Sequence, residues 1–228
     1  MISSAESAGF ARWRKIYAGV RLRGHEPEEV VHPAVFNVFE EICRGRQICG
    51  AVLEIGATPD DSTLLNLPSL ASASEKIGIN KSRESRFKDF TILKINANDM
   101  TFFPDRRFDV VLCNSVLEHD RFFWMTLAEI RRVIRTGGLV VVGTPGYREL
   151  PYETKLRPLL ARLSRFCRHR DGFPLQHATL TLRVHNFPGD YYRFSEQAFR
   201  EVFFEGMTDV VIRSVLVPPR IIGAGTRV

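Results

Sequence analysis

The sequence predicts an α/β fold built on a mostly parallel β-sheet that is covered on both faces. Five short apolar runs, each bounded by turn residues, are separated along the chain by helical segments. Parallel strands that are buried on both faces have this continuous apolar character. A helical segment between the last two runs, with a polar loop after each run, completes the pattern. Helices are therefore expected on both faces of the sheet.

Each element follows from local pattern. The predicted strands are Val52–Ile55, Lys76–Ile79, Thr91–Ile95, Phe108–Cys113 and Leu139–Gly143. A helix is expected from about Arg121 to Ile134. The link between the first two strands contains Pro59 and Pro68, so its helix should be short or broken. Asp209–Leu216 and Arg220–Val228 are expected to form a final pair of strands.

Composition limits the class of protein. With 228 residues, 44% hydrophobic and 25% charged, the chain can bury one full core. No apolar run approaches the roughly 20 residues of a membrane span, and no secretory signal is recognisable at the N-terminus. The cysteines lack a CxxC pair, which indicates free thiols in a reducing compartment and no structural zinc. A cytoplasmic location is expected.

The positive charge is concentrated in one segment. The net charge is +6, and residues 148–170 contain seven Lys/Arg against two Glu, a balance of 7 − 2 = +5. The remainder therefore carries only +6 − 5 = +1. A nucleic-acid-binding domain would spread basic residues over a face, so no stable nucleic-acid partner is expected.

Glycine-containing or polar loops follow four of the predicted strands, where open α/β sheets bind their ligands. The loops begin with E-I-G-A-T at residues 54–58, I-N at 79–80, N-A-N-D-M at 96–100 and N-S-V-L-E-H at 114–119. Gly56 would let the backbone approach a ligand closely, because it has no Cβ. Taken alone, this glycine equally fits an ordinary strand-to-turn junction.

In this order the motifs resemble the class I S-adenosylmethionine (SAM)-dependent methyltransferases, closest to the type 11 group, from about Val52 onward. The resemblance implies a Rossmann-like, seven-stranded sheet closed by an antiparallel strand. It implies a SAM-binding domain over residues 49–228, N-terminal helices near the active-site mouth over 1–48, and a basic helical insert over 148–186. The chain departs from the family's acidic-x-Gly-x-Gly-x-Gly pattern, because Thr58 and Asp60 stand at the later glycine positions.

The resemblance also implies a set of cofactor contacts. Asn80 stands where an acidic residue usually binds the ribose hydroxyls, and Asn96 is expected to accept from the adenine amine. The loop after Asn114 is expected beside the methionine part of SAM. The expected cofactor-binding residues are Glu54, Gly56, Ala57, Thr58, Asn80, Asn96, Ala97, Asn98, Asn114 and Ser115. The alternative for Asn80 is a turn-forming role.

Two histidines are candidates for a general base. His119 is the first choice, because an imidazole with a pKa near ~6.5 can remove a proton at neutral pH, and His185 is the second. A helix-bracing role fits His119 equally well. Glu118 is expected to be structural.

The run D-Y-Y-R-F at residues 190–194 resembles a segment near the substrate mouth of type 11-like relatives. It makes Tyr191, Tyr192 and Arg193 candidate substrate-binding residues. A packed surface corner is the equal alternative.

The expected activity is methyl transfer from SAM to an O or N nucleophile on a small-molecule or glycan-like acceptor. A catalytically silent binding or regulatory protein is the alternative that the incomplete glycine motif favours. An RNA methyltransferase is favoured by a pI of about 9.4 but opposed by the confined charge. The helix expected at Leu156–Arg170 fits a solvated face, a lid for an anionic substrate, or peripheral contact with an anionic membrane. The sequence also does not decide whether the protein forms a homodimer.

Overall fold

The computed structural model describes residues 31–149, 179–181, 189–215 and 219–228, and within them an eight-stranded sheet forms the frame. Three helices accompany it in these ranges: α1 (Pro33–Arg44), α2 (Phe123–Val133) and the short α3 (Glu196–Ala198), which continues as a π-helical turn over Phe199–Phe203. The strands of this sheet are β1 (Ala51–Ile55), β2 (Glu75–Asn80), β3 (Ser85–Phe87), β4 (Phe90–Lys94), β5 (Phe108–Asn114), β6 (Ile134–Pro145), β9 (Met207–Val215) and β10 (Arg220–Arg227). A separate two-residue pair joins β7 (Arg148–Glu149) to β8 (Thr179–Leu180).

The strand order is β3-β4-β2-β1-β5-β6-β10-β9. The strands β4, β2, β1, β5 and β6 are mutually parallel, and the hairpin of β9 and β10 adds β10 antiparallel to β6. The chain first builds outward from β1 through β2 to β4 and then returns to place β5 on the other side of β1. This reversal creates the switch point at which open α/β sheets bind ligands. The expected methyltransferase-type sheet is confirmed, with one strand more than expected.

The extra strand is β3, which pairs antiparallel with β4 at the edge of the sheet. The links on either side of β4 were expected to be helical, but the described residues 81–107 contain no helix. A helical crossover between parallel strands needs about a dozen residues or more, and the segment between β2 and β4 is shorter than that. The link between β1 and β2 consists of two 3₁₀ turns, Leu64–Asn66 and Pro68–Leu70, which confirms the expected broken helix.

Each face of the sheet has its own apolar core, which confirms helices on both faces. On one face, Val35 and Phe39 of α1 pack with the buried leucines of the 3₁₀ turns. On the other, Leu127 and Ile130 of α2 pack with Phe199 of the π-helical turn. Burial of such side chains contributes about 1.5–3 kcal/mol each and fixes both layers against the sheet.

Several expectations can be compared directly with the structure. The helix expected at Arg121–Ile134 forms as α2, and Ser195 caps α3 by accepting from Ala198 N–H at 3.1 Å. His185 and the helix expected at Leu156–Arg170 lie outside the described residues, as do residues 1–30 of the N-terminal segment. In the described ranges, no helix combines the length and the apolar character that crossing a membrane requires.

Candidate functional site

The loops after β1 and β5 meet at the switch point. Ile55 pairs with Cys113, so the residues that follow the two strands emerge side by side at the carboxyl edge. Gly56 has a φ of +84°, and a Cβ added to it would lie less than 3.0 Å from Cγ2 of Val116. This glycine is therefore required by the close approach of the β5 loop as well as by its left-handed backbone.

Glu54 is buried and bonds within the chain. Its buried carboxylate accepts from the Thr63 hydroxyl and from the N–H groups of Leu64 at 3.2 Å and Leu65 at 3.1 Å. Burial raises the pKa of Glu54 to about 7, although these hydrogen bonds oppose the shift. In this arrangement Glu54 holds the first 3₁₀ turn against the end of β1.

The polar groups after β1 and β2 bind one another. The N–H groups of Gly56 and Ala57 both donate to the carbonyl of Ile79, at 2.9 and 3.1 Å. The Asn80 amide donates to the Ala57 carbonyl at 3.0 Å, while its oxygen accepts from the Ser82 N–H at 2.9 Å and hydroxyl at 2.7 Å. The turn-forming role that was the alternative for Asn80 is thus the one that its side chain performs here.

Thr58 lies just beyond this network. Its side chain is buried, and its hydroxyl hydrogen-bonds to Asp60. Partial burial raises the pKa of Asp60, but the hydrogen bonds from Ser62 and Thr58 outweigh it and hold that pKa below its usual range. Both residues at the missing glycine positions are therefore used to order the loop.

The loop after β4 divides its three candidates between the surface and the interior. Asn96 is exposed, whereas Ala97 packs against the core. The Asn98 amide points inward and donates to Asp120 at 2.7 Å and to the Thr126 hydroxyl at 2.9 Å. Asn98 consequently joins this loop to the beginning of α2, and Asn96 is the member of the three whose side chain faces solvent.

The end of β5 carries strain and an unsatisfied polar atom. Asn114 Oδ1 is buried and has no hydrogen-bond partner among the described residues, and a Cβ on the neighbouring Gly143 would lie 2.7 Å from it. Ser115 has a φ of +57°, unusual for a residue other than glycine, and donates its N–H to the Gly143 carbonyl at 3.0 Å. Backbone strain of about 1–3 kcal/mol per residue is concentrated at functional sites in proteins.

The 3₁₀ turn Leu117–His119 follows this strained residue. The Nδ1 atom of His119 contacts the carbonyl oxygen of Gly189 at hydrogen-bonding geometry. Because a carbonyl can only accept, Nδ1 carries the proton and the lone pair of the neutral ring is on Nε2. The Nε2 atom lies 3.9 Å from Oε1 of Glu118. His119 thus braces the turn through one nitrogen and faces Glu118 with the other.

Glu118 is the middle residue of this turn, and nothing in the sequence indicated that its carboxylate would be buried. Its side chain is 0% exposed, and within the part of the chain that the structure describes neither carboxylate oxygen has a hydrogen-bond partner. Arg220 lies at the start of β10, and its Nη1 atom is 4.0 Å from Glu118 Oε1. This Nη1 atom also has no hydrogen bond to the described residues. Burial raises the pKa of Glu118 to about 7, with the guanidinium of Arg220 opposing the shift. The sequence did not predict this pair, because the two residues are far apart in the chain and the hairpin of β9 and β10 brings Arg220 to the site.

The loop containing D-Y-Y-R-F is anchored on the same turn. The N–H groups of Tyr191 and Tyr192 donate to the Glu118 carbonyl at 2.8 and 3.3 Å. Arg193 forms a buried two-point ion pair with Asp190, in which Nη2 lies 2.6 Å from Oδ2. Tyr191 remains 51% exposed. Tyr192 and Arg193 therefore form the packed corner, and Tyr191 is the candidate whose ring faces solvent.

No group of three or more His, Cys, Asp or Glu side chains gathers as metal ligands within the ranges that the structure describes. The unsatisfied atoms of Asn114 and Glu118 are acceptors, and that of Arg220 is a donor. This donor set suits a polar organic ligand with hydrogen-bonding groups of both kinds.

Comparison with known proteins agrees with this geometry. A family model described as a methyltransferase domain, of the type 11 group, matches residues 65–142. The match begins after Glu54 and Gly56, the part in which this chain departs from the glycine pattern. No curated protein shows significant sequence similarity to the chain.

Solved structures show the same fold. A Burkholderia thailandensis 1,6-didemethyltoxoflavin-N1-methyltransferase aligns with a TM-score of 0.56 at 15% identity, over 100% of this chain and 91% of that one. A Haemonchus contortus phosphoethanolamine N-methyltransferase 2 aligns with a TM-score of 0.54 at 10% identity, over 96% of this chain and 57% of that one. The YcgJ protein of Bacillus subtilis aligns with a TM-score of 0.51 at 13% identity, over 86% of this chain and 99% of that one. Strand order, switch point and the aligned structures together show that the chain has the class I methyltransferase fold, and residues 65–142 are similar to a type 11 methyltransferase domain.

Proposed function

We propose that the protein is a SAM-dependent methyltransferase that methylates an O or N nucleophile of a small-molecule or glycan-like acceptor. The observation that carries the proposal is the unpaired, buried Oδ1 of Asn114 at the switch point of a sheet with methyltransferase strand order. A buried acceptor without a partner costs about 1–3 kcal/mol, so its retention at this point favours a ligand that donates to it.

The residues at the switch point fit SAM in part. Asn114 Oδ1 suits the ammonium group of the methionine part, and the exposed amide of Asn96 suits the adenine edge. The polar groups of Gly56, Ala57 and Asn80 are already bonded within the chain, so contact there would rely on packing. The Burkholderia and Haemonchus methyltransferases were both solved with S-adenosylhomocysteine, which supports the same cofactor here.

When bound, SAM supplies an electrophilic methyl group on a sulfonium. The task left to the protein is to hold the acceptor atom in line with that methyl group and to receive its proton. In that arrangement Nε2 of His119 would accept the proton of the acceptor atom. The contact of Nδ1 with the Gly189 carbonyl fixes the ring and stabilises the imidazolium.

Calorimetry with SAM and S-adenosylhomocysteine tests cofactor binding. Asn114→Ala should weaken binding about 10- to 100-fold, because a hydrogen bond to a charged group contributes about 1.5–3 kcal/mol. Asn37→Ala, which changes an exposed asparagine of α1, is the matched control and should leave the affinity unchanged. A wild-type protein that binds neither compound would refute the proposed function.

Transfer itself is measured with methyl-labelled SAM and a panel of small hydroxyl and amine compounds. His119→Ala should lower turnover about 10²- to 10⁴-fold and leave SAM affinity nearly unchanged. Turnover close to the wild-type rate would leave His119 only its bracing role.

A catalytically silent SAM-binding protein is the second candidate. Thr58 and Asp60 at glycine positions, together with the internally bonded loops after β1 and β2, favour it. SAM binding by the wild type without transfer to any member of the panel would support this candidate over the enzyme.

A further inference from the structure

Unsatisfied buried polar atoms gather at one edge of the sheet. Five of the eight such side-chain atoms in the described part of the chain belong to four residues there. They are Asn114 Oδ1, Glu118 Oε1 and Oε2, Thr144 Oγ1 and Arg220 Nη1. Asn114 ends β5, Thr144 lies at the end of β6, and Arg220 pairs with the adjacent Pro145. Buried polar groups are nearly always paired, so such a gathering indicates groups that a ligand or water would satisfy.

The geometry of Glu118 and Arg220 is that of an open pair. Oε1 and Nη1 are 4.0 Å apart, too far for a hydrogen bond. An oxygen atom about 2.8 Å from each would bridge them. By contrast, the neighbouring buried pair of Asp190 and Arg193 is closed, with Nη2 2.6 Å from Oδ2. Two buried ion pairs of the same type therefore adopt different states in one region.

We propose that Glu118 and Arg220 recognise the methyl acceptor and select a neutral group that carries a hydrogen-bond donor beside an acceptor, such as a hydroxyl or a carboxamide. The inference rests on the proposed function and names the substrate class of that same site. The donor of such a group binds Glu118, and its acceptor binds Arg220. The group then lies next to His119, whose Nε2 is 3.9 Å from Glu118 Oε1.

Charge makes the selection. At pH 8 and above, where Glu118 is charged because its pKa is about 7, a carboxylate or phosphate would be attracted by Arg220 but would be repelled by the Glu118 carboxylate. An ammonium group would have the opposite difficulty. In a buried site, an unpaired or like-charge contact costs several kcal/mol, whereas a neutral donor and acceptor satisfy both side chains. Glu118 therefore excludes anions and Arg220 excludes cations, each by repelling an ion of its own charge.

Ligand-observed NMR with three probes that share one ring tests this selection. Benzamide, benzoate and benzylammonium are titrated into the protein saturated with S-adenosylhomocysteine, and also into the protein alone. The wild type should bind benzamide and should bind both ions at least about 10-fold more weakly, the equivalent of about 1.4 kcal/mol.

Variants should switch this preference. Glu118→Gln keeps the side-chain volume and leaves Arg220 as the charge, so benzoate should become the preferred probe. Arg220→Gln should make benzylammonium the preferred probe. The controls are Glu41→Gln and Arg213→Gln, which alter an exposed Glu–Arg pair with Nη1 and Oε2 3.1 Å apart, and they should behave as the wild type does.

The outcomes are separable. The inference is overturned if the wild type does not prefer benzamide or binds none of the three probes. It is also overturned if the order of probe affinities is the same in Glu118→Gln as in the wild type. Should Arg220→Gln unfold in a thermal melt, the isosteric Glu118→Gln decides by itself. Failure of S-adenosylhomocysteine to bind the wild type would count against the proposed function, and the probe order in the protein alone would still decide the inference.

Discussion

Gly56 provides the sharpest test of the switch-point geometry. The change is Gly56→Ala, made in the wild type and in Val116→Ala. At a backbone φ of +84°, any residue with a Cβ has a conformational free-energy cost of about 1–2 kcal/mol. The new Cβ would also lie under 3.0 Å from Val116 Cγ2, whereas carbon atoms pack at about 3.5–4.0 Å. Overpacking of this kind costs about 1–3 kcal/mol.

The two costs separate in a double-mutant cycle. In the wild type, Gly56→Ala should lower the free energy of unfolding by about 2–5 kcal/mol, the sum of both costs. In Val116→Ala the Cγ2 atom is gone, and the next atoms, Val116 Cβ and the Asn114 carbonyl, are at 3.8 and 3.9 Å. Only the backbone cost should remain, so the coupling free energy should be about 1–3 kcal/mol.

Urea unfolding measures the cycle, with the m-value as the check that the unfolding transition keeps its cooperativity. Equal destabilisation by Gly56→Ala in both backgrounds would refute the reasoning that Val116 enforces the glycine. SAM affinity of the double variant then tests the sequence-based expectation for Gly56. A loss of affinity in a protein whose packing has been relieved would show that the cofactor also needs this position to lack a side chain.

Three further results are expected. Because the pKa of Glu54 is raised from 4.5 to about 7, the native state holds this proton more tightly than the unfolded state does, and the free energy of unfolding falls as pH rises between these values. From pH 5 to pH 8, the wild type should lose about 2–3 kcal/mol more of its unfolding free energy than Glu54→Gln does in denaturant titrations. Parallel pH profiles of the two proteins would contradict this expectation. Asn98→Ala should lower unfolding free energy by about 1–3 kcal/mol, because Asp120 loses its amide donor, and an unchanged urea midpoint would count against that anchoring role. Gly143→Ala should displace Asn114 and weaken SAM binding at least about 10-fold in calorimetry, an effect that unchanged affinity would disprove.

Local pattern determined most of the secondary structure. The apolar runs became β1, β2, β4, β5 and β6, and the first four of these lie within one residue of expectation at each end. The helix expected at Arg121–Ile134 formed as α2, and α1 lies within the N-terminal segment that was expected to be helical. These features depend on side-chain alternation, helical periodicity and capping, which involve residues close in sequence. The order of the motifs likewise predicted the class I methyltransferase fold.

The sequence also predicted which loops form the candidate site, but the directions of their side chains came from the tertiary structure. Asn80 and Asn98 are equally polar in sequence, yet Ser82 and Asp120 hold them in anchoring roles. Asn114 has a buried, unpaired oxygen beside Gly143 of the neighbouring strand, where a Cβ would lie 2.7 Å from it. Which polar groups find partners depends on contacts between distant strands, and periodicity does not encode such contacts.

The open pair of Glu118 and Arg220 is the clearest case. Glu118 follows β5, and Arg220 opens β10, which reaches the site by pairing antiparallel with β6. Neither residue belongs to a motif that includes the other. The sequence by itself determined the main strands of the sheet and the helix α2, and it predicted the edge at which a ligand would bind. Only the tertiary structure decided which charges meet at that edge, because the sheet register brings together residues about a hundred positions apart and burial makes their charges count.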